Sequence, residues 1–299
     1  FIMFECLVRK RRKSQQPSLD DYGCLTQVSL ELWTTNIIDT LERVDIKYPT
    51  KYFDSLLADI HGMYDARLPF HNQKHVYDVF QMGMCLLTRN PYTLRKLTEQ
   101  QKWTFCLALL CHDLDHRGYT NSDIKNGNYE YNDDEYSDET ASMCSNESYN
   151  EIHHITLSNK LLKNYQVDYD KQLFAKLIAF TDLVSHKFFL QSTMESDGKD
   201  IEQTLVGYMK LADIGHILRP WEHHLSYVMA LNRERNIPLD LIDIPNDTIW
   251  FNTTFVLPLI NMFENKNIGL HNKLMSLYTT NMSIWRTIHA FTNASIVET

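Results

Sequence analysis

Apolar residues recur at three- and four-residue steps along most of the chain. Leu25, Val28, Leu30, Leu32, Trp33, Ile37, Ile38 and Leu41 set the first such register, which is the period of an amphipathic helix. The same spacing predicts helices over 52–63 and from about His71 to Leu87. The segment 94–111 is strongly apolar on one face and ends against a polar cluster. Residues 122–140 break the pattern, with Asp123, Glu130, Asp133, Asp134, Glu135, Asp138 and Glu139 set among Asn, Gly and Tyr, and they read as a solvated loop. Helical periodicity resumes near Ala141 and returns in every later segment, including 249–263. Alternating strand patterns are almost absent, and no internal repeat is visible. The pattern predicts a single all-α domain over residues 21–299.

Residues 1–20 stand apart as a basic linker. Phe1–Val8 is mostly apolar, Arg9, Lys10, Arg11, Arg12 and Lys13 follow at once, and Ser14, Gln15, Gln16 and Pro17 close the stretch. Two readings fit. One is a juxtamembrane segment on the cytoplasmic face, tethered through a membrane helix before residue 1, because basic clusters flank the inner side of such helices. The other is a mobile arm on a soluble protein. No run in the sequence itself reaches the ~18 apolar residues that span a bilayer. The six cysteines are scattered without a CxxC pair, which fits buried thiols in a reducing compartment. The net charge of −9 argues against a nucleic-acid polymer as partner. A small anionic substrate is compatible with it, since bound metal ions reverse the local field.

The chemistry gathers in short clusters. His71 and His75 are four apart, a spacing that stacks two imidazoles on one helix face. His112, Asp113, Asp115 and His116 follow directly on an apolar helix, where unpaired burial would cost several kcal/mol each. They call for a positive centre: imidazole nitrogen suits Zn²⁺ and carboxylate oxygen suits Mg²⁺ or Mn²⁺. Glu147, Glu151, His153 and His154 form a third cluster, and Thr181-Asp182 a fourth. Asp213 is a lone carboxylate in an apolar run, readable as a helix cap or as a ligand.

Taken together, His71-Asn72-x-x-His75, His112-Asp113-x-Asp115-His116-x-Gly118 with Asn121, Glu151-x-His153-His154, Thr181-Asp182, Ala212-Asp213, Pro220-Trp221, Phe251 and Pro258-Leu259 resemble the signature of class I cyclic-nucleotide phosphodiesterases, in the family's order. The resemblance implies a compact multi-helix bundle of the HD type with a deep two-metal pocket. It implies that His75, His112, Asp113 and Asp213 hold Zn²⁺, with Asp113 bridging to Mg²⁺ or Mn²⁺. It further implies hydrolysis of a 3′,5′-cyclic nucleotide to the 5′-monophosphate by a metal-bridging hydroxide, with His71 as general acid. His116, Glu151, His154 and Asp182 would orient the ligands and their waters. Phe251 would stack on the purine, and Leu218 and Trp250 would line the same pocket.

The chain departs from the family in base recognition. Most members carry Gln three residues before the stacking Phe, and here that position is Thr248. A shifted alignment would instead give Asn252 the amide role and Phe255 the stacking role. Phe70 replaces the Tyr that often precedes the first His. Arg117 and Arg219-Pro220-Trp221 resemble the branch that cleaves cGMP or both nucleotides, so cGMP is favoured and cAMP is the alternative. Two other functions compete: a non-catalytic cyclic-nucleotide sensor, which Thr248 would suit, and a phosphohydrolase of linear nucleotides.

Overall fold

The structure is a computed structural model that describes residues 29–131, 144–195, 200–238, 243–264 and 266–297. The basic linker 1–20 and the acidic run 133–139 lie outside them. The described chain runs α1 (Leu30–Arg43), α2 (Phe53–Met63), α3 (Gln73–Thr88), α4 (Pro91–Lys96), α5 (Glu99–Cys111), α6 (Asn121–Lys125) and α7 (Tyr149–Asn164). It continues as α8 (Lys171–Ala179), α9 (His186–Glu195), α10 (Ile201–Ile214), α11 (Trp221–Glu234), α12 (Asp243–Phe251), α13 (Leu257–Asn261) and α14 (Ile268–Val297). There is no strand among the described residues, so the all-α expectation holds. None of these helices is long and apolar enough to cross a membrane.

The centre of the bundle is built by α3, α5, α8 and α10. Helix α5 begins at a capping box, in which Thr98 and Gln101 each satisfy the other's backbone N–H. From Trp103 to Cys111 every residue of it is buried, as befits a helix surrounded by others. It lies tight against α3, because a Cβ on Gly83 would come within 2.5 Å of Leu109. The hydrogen of Gly83 leaves the room that the Leu109 side chain occupies.

Several boundaries differ from the sequence reading, each for a local reason. Helix α3 starts at Gln73, because the Asn72 side chain accepts from Lys74 N at 2.9 Å and caps it. His71 therefore precedes the helix and does not share its face with His75. The expected loop after residue 121 opens with α6, capped by Thr120 and Asp123 in a second capping box. Ala141, where helical spacing resumes in the sequence, lies outside the described residues, and the first helix described after it begins at Tyr149. The stretch 249–263 is three pieces, with a π turn at Asn252–Val256 between α12 and α13. Pro258 has no N–H for the Thr254 carbonyl, and the chain widens so that Leu257 N reaches Asn252 O.

Candidate active site and metal centre

The packing of α3, α5 and α10 delivers four side chains to one point. His75 sits in the first turn of α3, His112 caps α5, Asp113 follows it, and Asp213 ends α10. One ligand atom from each lies within 4.8 Å of all the others. His75 Nε2 is 3.4 Å from Asp113 Oδ2 and 3.2 Å from Asp213 Oδ1. His112 Nε2 is 3.1 and 3.5 Å from the same two oxygens. His112 Nδ1 donates to Leu109 O at 3.1 Å, which fixes the ring and turns Nε2 to the carboxylates.

These residues fit a metal ion. The Nε2 atoms of His75 and His112 are buried and make no hydrogen bond, a costly state unless something else meets them. The site is also negative. Burial opposes a charged imidazole, yet Asp113 and Asp213 outweigh it and push His75 up to about 9 and His112 up to about 10. Two nitrogens and two carboxylate oxygens are a donor set for a divalent cation. Asp113 turns its other oxygen, Oδ1, toward His154 Nε2 at 3.8 Å. His154 Nδ1 donates to Leu114 O at 2.8 Å, and its Nε2 is a further buried nitrogen with no partner. Asp113 thus offers one oxygen to each of two sides.

The chain after Asp113 curls sharply. Asp115 adopts φ +63° and Gly118 φ +79°, where a Cβ on Gly118 would meet Leu68 at 2.9 Å. The curl lets Gly118 N donate to His116 Nδ1 at 2.9 Å. It also lets Asp115 accept from Arg117 and from His153 Nε2. His116 stacks on His71, with ring centroids 3.8 Å apart. His71 Nδ1 is held by Glu234 Oε1, and Glu234 Oε2 accepts from Phe70 N at 2.8 Å and His71 N at 3.0 Å. Sequence reasoning gave Glu234 no role. It sits in Asn232-Arg233-Glu234-Arg235, a run indistinguishable from an ordinary charged helix end.

On the facing wall, Glu151 accepts from Asn121 Nδ2 at 2.9 Å. Burial, reinforced by the Asp182 charge, pushes its carboxyl up to about 8. Asp182 accepts from Ser148 Oγ and from Val184 N, while Lys210 reaches its carbonyl at 3.2 Å. A cavity of about 260 Å³ runs over this ground, lined among others by His71, Asp113, His116, Glu151, Asp182 and Phe251.

The residues expected at the base separate. Phe251 lines the cavity. Trp250, one step and ~100° round the helix from it, turns outward and is 59% exposed. Leu218 is fully buried in the core. Neither lines the cavity, which corrects the expectation for both. Thr248 is buried, and its carbonyl accepts from Asn252 Nδ2 at 2.8 Å. Phe255 packs against Phe251, Trp250 and His186, and neither it nor Asn252 lines the cavity. The unshifted register therefore places an aromatic ring at the cavity, and no amide from α12 or its π turn accompanies it. Arg219 pairs with Asp78 through Nε–Oδ1 at 2.8 Å and Nη2–Oδ2 at 3.0 Å, buried away from the cavity.

Comparison with known proteins bears on the same residues. The phosphodiesterase regA of Dictyostelium discoideum is 26% identical over 65% of this chain. The cGMP-specific phosphodiesterase 3 of the same organism is 27% identical over 68%. The chain spans 26% and 43% of the lengths of these two relatives. The phosphodiesterase domain of the RhoPDE fusion protein from the choanoflagellate Salpingoeca rosetta superposes with a TM-score of 0.80 at 20% identity, over 96% of this chain and 99% of that one. The family model for 3′5′-cyclic nucleotide phosphodiesterases matches residues 70–266. That span runs from the residue before His71 to beyond Pro258, so every ligand segment falls inside it, and the chain belongs to the 3′5′-cyclic nucleotide phosphodiesterase family.

Proposed function

We propose that this domain hydrolyses a 3′,5′-cyclic nucleotide, cGMP in preference to cAMP, to the 5′-monophosphate. One observation carries the reading: His75, His112, Asp113 and Asp213 converge within 4.8 Å from three distant segments, with His71 at the rim of the same cavity. Zn²⁺ suits the set with two imidazoles, and Mg²⁺ or Mn²⁺ suits the carboxylate-lined cavity that Asp113 shares with Glu151 and Asp182. Bound there, cations supply Lewis-acid charge and a water activated at neutral pH.

The protein's own groups divide the remaining work. Glu234 takes the Nδ1 proton of His71 as a hydrogen bond, so Nε2 is the nitrogen that delivers a proton to the departing O3′. Stacking on His116 keeps the ring from swinging. Asn121 and Ser148 fix the Glu151 and Asp182 carboxylates at the cavity wall. Phe251 offers an apolar face to the base. The preference for cGMP is supported by a relative described as cGMP-specific.

Initial rates for cAMP and cGMP, with Mg²⁺ or Mn²⁺ present and after chelation, test this reading. Metal-dependent release of the 5′-monophosphate is expected. His71→Ala should lower kcat by about 10²–10⁴-fold while leaving bound metal unchanged. Loss of metal in that variant would overturn the role given to His71. Turnover of linear nucleotides alone, or of none, would overturn the activity.

A further inference from the structure

The cavity holds one polar group whose hydrogen-bonding role is dictated from the far side of the fold. His216 lies in the Gly215–Leu218 turn, 8% exposed, and lines the cavity. Its Nδ1 is 2.9 Å from His224 Nδ1 on α11. His224 Nε2 in turn is 2.6 Å from Trp285 Nε1 on α14.

Only one proton arrangement satisfies this chain. An indole nitrogen can only donate, so His224 Nε2 accepts and the proton of His224 is on Nδ1. That proton points at His216 Nδ1, which must accept, so the His216 proton is on Nε2. An imidazolium at His216 would set two N–H groups against each other at 2.9 Å. Burial acts in the same direction and holds His216 below its ordinary value. No hydrogen bond to His216 Nε2 is found among the described residues. The turn that carries it is clamped as well, since Asn281 Nδ2 donates to Ile217 O and Arg219 O at 2.7 Å each.

We propose that His216 is a specificity-determining residue, a neutral imidazole locked by Trp285 and His224 as a one-way Nε2–H donor that accepts no substrate hydrogen and so selects a purine with a carbonyl at position 6. This rests on the phosphodiesterase reading above. A phosphate gains little from a neutral donor when cations stand beside it. Thr248 and the Asn252 amide do not line the cavity, so α12 and its π turn, which carry Phe251, bring no partner for the base edge. A fixed donor meets the carbonyl of guanine or hypoxanthine and faces the amino group of adenine donor to donor. Trp285 and His224 act through His216 and are positioning residues.

The test uses the full chain loaded with Zn²⁺ and Mg²⁺, and cGMP, cIMP and cAMP as substrates. His216→Ala should lower the kcat/KM ratios of cGMP and cIMP over cAMP by about tenfold, chiefly through KM, and His216→Gln, which restores a donor, should recover part of it. Trp285→Phe should erode the same ratios. Independently, ¹⁵N spectra should show His216 as the Nε2–H tautomer and His224 as the Nδ1–H tautomer, neutral down to pH 5. If the wild type hydrolyses these nucleotides but His216→Ala leaves the ratios unchanged, or the spectra show His216 protonated on Nδ1, the inference fails and the activity stands. If the wild type hydrolyses none of them, the phosphodiesterase reading fails and this inference with it.

Discussion

Cation binding should expel about two protons at pH 7. In the metal-free protein, burial works against charged imidazoles, but the Asp113 and Asp213 carboxylates hold His75 at about 9 and His112 at about 10. Both rings are then protonated at neutral pH, and both must lose that proton before their nitrogens can bind a cation. The competition costs roughly two decades of affinity for His75 and three for His112, about 7 kcal/mol together. Apparent affinity should therefore climb about a hundredfold per pH unit between 7 and 9 and level off above 10. Stability follows the same sign. Both folded values lie above the ordinary 6.5, so the His–Asp attraction in stripped protein is fully present below pH 6.5 and is lost as pH rises through 9 to 10. Calorimetric titration of Zn²⁺ into chelator-stripped protein, repeated in buffers of different ionisation enthalpy, counts the protons directly. Release of well under one proton at pH 7 would show that the imidazoles are neutral before the cation arrives, and the electrostatic account of the site would fail.

Three further outcomes follow from individual contacts. Glu234→Gln keeps the size but cannot accept on both sides, so kcat should fall about 10–100-fold, the value of a charge-assisted hydrogen bond of about 1.5–3 kcal/mol; an unchanged kcat with intact metal would remove Glu234 from the mechanism. Gly83→Ala places a methyl 2.5 Å from the Leu109 side chain, and thermal unfolding should report about 1–3 kcal/mol of lost stability; a neutral result would mean that Leu109 can move aside without cost. Glu151→Gln should stabilise stripped protein increasingly from pH 4.5 to 8, because burial and Asp182 raise the folded pKa to about 8 and the ionised form is penalised as pH rises through that window. Added cation should shrink that gain, and a gain independent of pH would contradict the assignment.

The helical bundle was legible because hydrophobic spacing records burial directly, and α1, α2, α3 and α5 fall close to where the apolar periods predict them. The His–Asp cluster was legible as a place for chemistry for a related reason: His112 and Asp113 follow nine consecutive buried residues, a place where charge needs a partner. Other features carry no such record. Asn72 as a cap, and hence the exclusion of His71 from α3, depends on one side-chain hydrogen bond. Glu234 lies 163 residues from His71, and nothing in its neighbourhood marks it. Trp250 and Leu218 carry no local mark of their orientation: one residue of offset on the helix turns Trp250 from the cavity into solvent, and the turn after α10 buries Leu218 in the core. The ¹⁵N-testable chain from Trp285 to His216 joins residues on α14, α11 and a short turn, a relation that no local pattern encodes.

These contacts also divide the cavity into two separately supported parts. The four candidate cation ligands are delivered by α3, α5 and α10, whose positions are set by core packing such as Gly83 on Leu109. His216, in the turn that follows α10, has its imidazole oriented by α11 and by Trp285 and Asn281 on α14. The two share Phe70, whose ring stands 4.6 Å from His75 and 6.2 Å from His216. Substitutions in separate packing units combine additively unless they share a partner. Trp285→Phe and Gly83→Ala, in the α3–α5 packing, should therefore act independently, one on the selectivity ratio and the other on stability. Replacing Phe70 should disturb both at once, because among the described residues its ring packs near both the candidate ligand His75 and the proposed selectivity donor.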